Sequence, residues 1–168
     1  MAERFKLVGG VFNLILRDGK VLMELRKNKF DAGLYSLVGG CMEDGETVKQ
    51  AAVREIKEEV NLEVREDDLK IISVLHRITP APDSWQSIEF VMATEKFSGN
   101  PALMENDVCG GLRWFPLTEL PKNISLYAKQ AIDNYINNES FSEINFSREN
   151  IWLKIHPKKI QAKKNPNF

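Results

Sequence analysis

The sequence predicts an α/β fold, a mixed β-sheet with helices on either side. Three observations carry that expectation. Short apolar runs bounded by turn residues recur along the chain. One segment of strong helix formers with a 3.6-residue apolar period occupies its first half. A second helix follows a proline-broken stretch near residue 124. Strands interleaved with helices in this way bury their apolar faces best as layers.

The elements follow in order. Leu7 to Leu16 is mostly apolar, Asp18-Gly19 supplies a turn, and Val21 to Leu25 resumes. Asp-Gly between two apolar runs signals a hairpin. A loop with Gly33 leads to a short strand at Leu34 to Val38, closed by Gly39-Gly40. Glu46 to Val60 is the first helix, by its helix formers and period. Leu69 to Arg77 and Ser87 to Phe97 read as strands around a Pro80/Pro82 loop, and Gly110 to Phe115 as another. Pro116 and Pro121 break the chain before the second helix, from about Ile124 to Asn137. The segment SEINFSRENIWLKIH adds a strand or packs as an arm, and PKKIQAKKNPNF reads as a frayed basic tail. The expected organisation is one domain over residues 1–140, followed by a C-terminal extension and basic tail over 141–168.

Composition narrows the function. With 168 residues, 43% apolar and 28% charged, the chain has the balance of an ordinary globular domain. A formal charge of -1 gives no global basic field, which weighs against DNA binding. Cys41, Cys109, His76 and His156 lack zinc-ligand spacing, and the two cysteines form no disulfide framework. The N-terminus is charged early and broken by Gly9 and Gly10, so it reads as a strand rather than a signal peptide. No stretch approaches the ~20 apolar residues of a membrane span. The expected location is the cytoplasm.

The informative segment is Gly40 to Leu62, GCMEDGETVKQAAVREIKEEVNL. At about 100° per residue, Val48, Ala52, Val53, Ile56 and Val60 fall in one arc, the core face. Glu55, Glu58 and Glu59 fall in the adjacent arc. Carboxylates at this spacing repel by ~0.2–0.5 kcal/mol per pair on an exposed helix, and they stand near the helix C-terminus, where the macrodipole disfavours negative charge. A solvated face partly neutralised by Arg54 and Lys57 would tolerate the conflict. A hard divalent cation would remove it, since Mg²⁺ takes carboxylate and carbonyl oxygens and shares its coordination with phosphates.

These residues resemble the Nudix box: a glycine, five residues, Glu, seven residues, then Arg-Glu-aliphatic-x-Glu-Glu-x-Gly-aliphatic. Gly40, Glu46, Arg54, Glu55, Ile56, Glu58, Glu59 and Leu62 all fall in place. Asn61 stands where the family has Gly, and Asn is the next most tolerant residue of the left-handed conformation that ends such a helix. Val38 stands where relatives often carry Pro. The likeness covers roughly residues 5 to 137. It implies a Nudix α/β/α sandwich with a mixed sheet, and a MutT-like enzyme dependent on Mg²⁺ or Mn²⁺. Carried over residue by residue, it implies metal binding by Glu55, Glu58, Glu59 and the Gly39 carbonyl. It implies catalytic roles for Arg54, which orients the carboxylates, and for Glu55, Glu58 and Glu59, one of which serves as base. Glu46, placed across the helix from the trio, is expected to be structural.

Other candidates are weaker. Glu105 and Asp107 could supply a further acidic ligand or base, against the plainer role of solvated loop acids. Arg26, Lys27 and Lys29 could touch phosphate or simply charge a strand edge. Phe30, Tyr35, His76, Trp85 and Tyr127 are available to read a base, although each also suits core or surface. Cys41 is expected as a small apolar filler. The segment LPKNISLYAKQ lacks the acidic pair that MutT-like enzymes can use for oxidised purines.

The resemblance implies cleavage of a phosphoanhydride bond in a nucleoside diphosphate linked to a group X. The leading expectation is a nucleoside triphosphate, giving a monophosphate and pyrophosphate. An ADP-ribose or nucleotide-sugar pyrophosphatase is second, disfavoured because the box begins at residue 40 without an N-terminal region to grip a larger substrate. A non-hydrolysing nucleotide sensor would be expected to lose carboxylates that this chain keeps. RNA decapping is prompted only by the basic tail from Lys154 to Lys164. The expected partner is the nucleotide, with no DNA or membrane, and a homodimer is allowed.

Overall fold

The computed structural model describes residues 5–27, 31–78, 86–105 and 107–144. Within them, seven strands form one mixed sheet: β1 (Val8–Arg17), β2 (Lys20–Arg26), β3 (Tyr35–Ser36), β4 (Lys70–Ile78), β5 (Gln86–Thr94), β6 (Cys109–Pro116) and β7 (Phe141–Ile144). Their order is β3-β2-β1-β5-β4-β7, with β6 also paired to β2. The β1–β5 and β4–β7 pairs are parallel; β1–β2, β2–β3, β2–β6 and β4–β5 are antiparallel. Two α-helices, α1 (Val48–Val60) and α2 (Leu126–Asn137), and a single 3-10 turn at Glu66–Asp68 complete the described fold.

The period-2 alternation of β1 places one helix on each face of the sheet. Val11 and Ile15 pack with Ala52, Ile56 and Val60 of α1. Phe12, Leu14 and Leu16 pack with Ala128, Ala131 and Ile132 of α2. The sequence expectation of an α/β/α sandwich with a mixed sheet is met. Ile56 is fully buried, worth ~1.5–3 kcal/mol of apolar transfer.

Several boundaries differ. The strand expected over Leu34 to Val38 is a ladder of only two residues, extended by a single bridge from Val38 to Asn13. The first helix begins at Val48 rather than Glu46, because Thr47 is its cap. The Thr47 hydroxyl accepts from Gln50 N at 3.2 Å, and the Gln50 side chain accepts from Thr47 N at 2.9 Å. Ser125 caps α2 through its hydroxyl alone, which accepts from Ala128 N at 3.3 Å, so that helix starts at Leu126 rather than Ile124. β5 ends at Thr94, three residues short of Phe97. Of the open alternatives for the C-terminal segment, residues 141–144 take the strand, directly beyond the domain boundary expected at 140. The tail beyond 144 lies outside the described residues.

Candidate active site at the carboxylate helix

Helix α1 is held at both ends, which fixes the direction of its acidic face. Beyond the Thr47 cap, the chain leaves the helix at Asn61 with φ 54° and ψ 33°, and the Asn61 N–H donates to Lys57 O at 3.1 Å. Asn thus takes the left-handed conformation that Gly would supply, and Lys57 Nζ donates to its Oδ1 at 2.9 Å.

The core face differs in detail from the helical projection. Ala51, Ala52, Ile56 and Val60 are buried, whereas Val48 and Val53 are only partly so. Two of the acids share that buried side: Glu55 is 9% exposed and Glu59 5%. The Glu58 side chain faces solvent.

Arg54 gathers the acidic set. Its Nε and Nη2 donate to the two carboxylate oxygens of Glu46 at 2.6 and 3.0 Å. Its Nη1 donates to Glu55 at 2.9 Å and to Glu58 at 3.0 Å, and Nη2 also donates to Cys41 O at 3.0 Å. Glu46 therefore does not lie across the helix from the trio; it precedes the helix and is the chief partner of Arg54. The Arg54 hydrogen bonds, with one from the Glu43 N–H, hold the Glu46 carboxyl down at about 2.

Two glycines shape the loop that faces these acids. The Gly39 N–H donates to Glu59 Oε2 at 2.7 Å. Gly39 has φ 154°, and a Cβ there would overlap Val11 O. The carbonyls of Val38 and Gly40 accept from Asn13 N and Val11 N, so the Gly39 carbonyl, which alternates with them, is not committed to that ladder. A Cβ on Gly40 would stand 2.5 Å from Glu55 Oε1.

A second acidic centre comes from β2. Glu24 is fully buried. Arg26 Nη1 donates to its Oε1 at 2.5 Å, and Cys109 Sγ donates to its Oε2 at 3.1 Å. Arg26 Nη1 also lies 3.8 Å from Glu59 Oε1. Burial works against charge on Arg26, but Glu24 outweighs it and raises its proton affinity. Glu59 is driven the other way from its ordinary range. Burial first, and then the Glu24 charge, push it up to about 9 against the opposing Gly39 N–H. Glu55 is also raised, by burial, despite Arg54. Burial and the Glu24 hydrogen bond push the Cys109 thiol far up, so it acts as a donor rather than a nucleophile.

Among the described residues, no three carboxylate, thiol or imidazole groups stand in a ready-made metal-binding arrangement. The donor chemistry nevertheless fits a hard cation: three buried carboxylates, Glu24, Glu55 and Glu59, face one another with Arg26 and Arg54 as the nearby cations. A buried acid held protonated for want of positive charge is the state that a divalent ion would relieve.

Glu105 stands close enough to the helix for its charge to raise Glu55. The strip before it is tied to α1, with Ala102 N donating to Val60 O and Met104 N to Glu59 O. Asp107 is exposed in the same loop. Arg26 joins the site, whereas Lys27 is exposed at the strand end. Tyr35 packs edge-on against Phe115, and His76 lies 3.9 Å from Glu143 on the neighbouring strand β7. Cys41, expected as a filler, is exposed, and its backbone bridges Gly10 of β1. Lys29, Phe30, Trp85, His156 and the basic tail lie outside the described residues. Glu24 is a site residue beyond those the sequence pattern singles out; its signal is a lone acid inside the apolar run VLMEL.

The NUDIX domain family model matches residues 6–135. An ADP-ribose pyrophosphatase from Methanocaldococcus jannaschii is 34% identical over 67% of this chain and 63% of its own length. An NAD-capped RNA hydrolase, NudC, from Pseudomonas entomophila is 32% identical over 73% of this chain and 40% of its own length. The chain therefore spans less than two thirds of these curated relatives. The crystal structure of a MutT NUDIX hydrolase from Burkholderia pseudomallei superposes with a TM-score of 0.71 at 30% identity, covering 76% of this chain and 97% of that one.

Proposed function

From its membership of the Nudix family, to which this chain belongs, we propose that it is a pyrophosphohydrolase that splits a nucleoside triphosphate into a monophosphate and pyrophosphate. The observation that carries the reading is the acidic face of α1, where Arg54 bridges Glu46, Glu55 and Glu58 while Glu59 closes on the Gly39 N–H. Such a concentration of acids costs stability and has a use where polyphosphate and cation meet.

Glu55, Glu58, Glu59 and the Gly39 carbonyl would hold Mg²⁺, with Mn²⁺ as the substitute. When bound, the cation would neutralise diphosphate charge and make the attacking water easier to deprotonate. One of the three glutamates takes that proton; Glu58, the exposed one, is the most accessible to bulk water. Arg54 keeps Glu55 and Glu58 in a fixed relation through a single nitrogen. The triphosphate reading is supported by likeness to a relative from Danio rerio named an oxidized purine nucleoside triphosphate hydrolase, 31% identical over 118 residues. The relative from Methanocaldococcus jannaschii supports a second reading, cleavage of an ADP-ribose type of dinucleotide. Among the described residues no helix is long and apolar enough to cross a membrane, and we take the cytoplasm as its place of action.

The test is incubation of the purified protein with Mg²⁺ and separate triphosphates, ADP-ribose and nucleotide sugars, with products resolved by chromatography. Monophosphate plus pyrophosphate is the expected pair. Cleavage confined to ADP-ribose or sugar conjugates would move the function to the second reading. Tight binding without turnover would make the protein a sensor.

A further inference from the structure

On the face of the sheet covered by α2, one charged pair is set into the apolar surface in a way the hydrolysis does not require. Glu89 of β5 is 3% exposed, and Arg77 of β4 donates to its Oε1 through Nε at 3.0 Å. The Arg77 guanidinium lies 4.7 Å from the Tyr127 ring centre and 5.6 Å from that of Phe12. Those two rings stack at 4.9 Å with 12° between their planes. A buried ion pair repays its desolvation only when its remaining lone pairs are also satisfied. Glu89 Oε2 receives no hydrogen bond among the described residues.

That open oxygen is aimed toward the candidate active site. Gly10 and Glu89 are direct partners in the parallel β1–β5 ladder. The carboxylate fills the space that a side chain on residue 10 would take: a Cβ there would overlap Glu89 Oε2 and stand 3.1 Å from Gly40 O. Gly40 is the residue that abuts Glu55 from the other side. Cys41, next along the same loop, bridges Gly10, and its carbonyl accepts from Arg54 Nη2 at 3.0 Å. The Glu89–Arg77 pair therefore stands one loop away from the acids of α1.

We propose that Glu89 and Arg77 are specificity-determining residues that read the edge of a guanine base, Glu89 accepting from its adjacent N1–H and N2–H groups and Arg77 donating to O6. The inference rests on the nucleotide reading above. A carboxylate only accepts and a guanidinium only donates. Guanine is the base whose pairing edge sets two adjoining donors beside a carbonyl acceptor. Adenine and cytosine offer one amino donor next to a ring acceptor, uracil one N–H between two carbonyls, and hypoxanthine lacks the amino group. A base that leaves the buried Glu89 unsatisfied is rejected strongly, because an unpaired buried charge costs more than a missing surface contact. Tyr127 keeps the guanidinium in place: its hydroxyl donates to Asp31 Oδ2 at 2.8 Å and accepts from Ser36 Oγ at 3.2 Å.

The experiment compares kcat/KM for GTP, ITP, ATP, CTP and UTP in Mg²⁺, together with calorimetric binding of GMP and IMP. The wild type, Glu89→Gln and Arg77→Lys are used, with circular dichroism as the check on folding. The wild type is expected to favour GTP over ITP by roughly tenfold or more, and Glu89→Gln to bring that ratio close to one. The wild-type ratio needs no variant to fold. Equal turnover and binding of the guanine and hypoxanthine nucleotides by the wild type would overturn the proposal, as would an unchanged ratio in folded Glu89→Gln. An Arg77→Lys loss that is the same for every nucleotide would assign Arg77 to the phosphates and also overturn it. If no triphosphate is cleaved but GMP binds over IMP in a Glu89-dependent manner, the guanine site stands and the hydrolase reading falls. If all triphosphates are cleaved without base preference, the hydrolase reading stands and the guanine site falls.

Discussion

Glu46 receives both remaining donor directions of Arg54, Nε at 2.6 Å and Nη2 at 3.0 Å, across the turn that leads into α1. This fork-to-fork pairing leaves Nη1 to hold Glu55 and Glu58 together. Lysine carries the same charge but cannot reproduce a planar fork with several fixed donors. Arg54→Lys is therefore expected to lower kcat by roughly 10- to 100-fold, with circular dichroism unchanged. Glu46→Gln, which keeps one acceptor, should cause a smaller loss. Wild-type kinetics in Arg54→Lys would show that the network is ornamental.

The acids themselves allow a sharper test. Glu58→Gln and Glu59→Gln should each reduce turnover by ~10²-fold or more, while the fold, measured by thermal melting, persists. Chelation should abolish activity, and Mg²⁺ or Mn²⁺ should restore it. Near-normal rates in both variants would remove the metal-site assignment.

Gly39 and Gly40 should fail for different reasons when replaced by alanine. Gly39→Ala places a Cβ on Val11 O at a φ of 154°, so it should destabilise the fold by about 1–3 kcal/mol, read as a lower Tm. Gly40→Ala presses on Glu55 Oε1 instead. Its kcat should fall more than its Tm. A Gly40→Ala variant with normal kcat would show that the Glu55 position is free to adjust.

Tyr127 offers a pH signature remote from the acids. Burial first, and then Asp31, push its hydroxyl up from 10 to about 12. Between those values the folded chain holds a proton that the unfolded chain has released, so its contribution to stability is present below pH 10 and lost as pH rises toward 12. Absorbance titration should show that one of the chain's three tyrosines ionises late, and Tyr127→Phe should remove that late step. Three tyrosines titrating together near pH 10 in the folded protein would contradict it.

Most of the architecture and the acids of α1 are legible in the sequence because they depend on local pattern. The 3.6-residue period, the helix formers and Asn61 lie within one contiguous stretch. The helix starts two residues later than its formers suggest because Glu46 suits a helix, whereas Thr47 with Gln50 three residues later makes a cap. Leu37 and Val38 look like strand residues, yet the ladder to β2 stops at Ser36 and Val38 bridges Asn13 of β1 instead. Glu24 is hidden because an isolated acid in a strand carries no spacing, and its partners Arg26, Cys109 and Glu59 assemble only through β2, β6 and α1. Arg77 and Glu89 are hidden for the same reason. Twelve residues separate them, and the antiparallel register of β4 and β5 alone brings them together.

The parallel pairing of β7 with β4 has a consequence for self-association. Val74 to Arg77 match Phe141 to Ile144, and Val74 N also donates to Ser140 O. These four residues lie beyond the stretch that the family domain spans. Without them β4 would present a row of unpaired amides, long enough to recruit another copy edge to edge. A protein cut ahead of Phe141 would keep every acid of α1, yet it should sediment as aggregates. Shelf life, rather than chemistry, is what the last described strand protects.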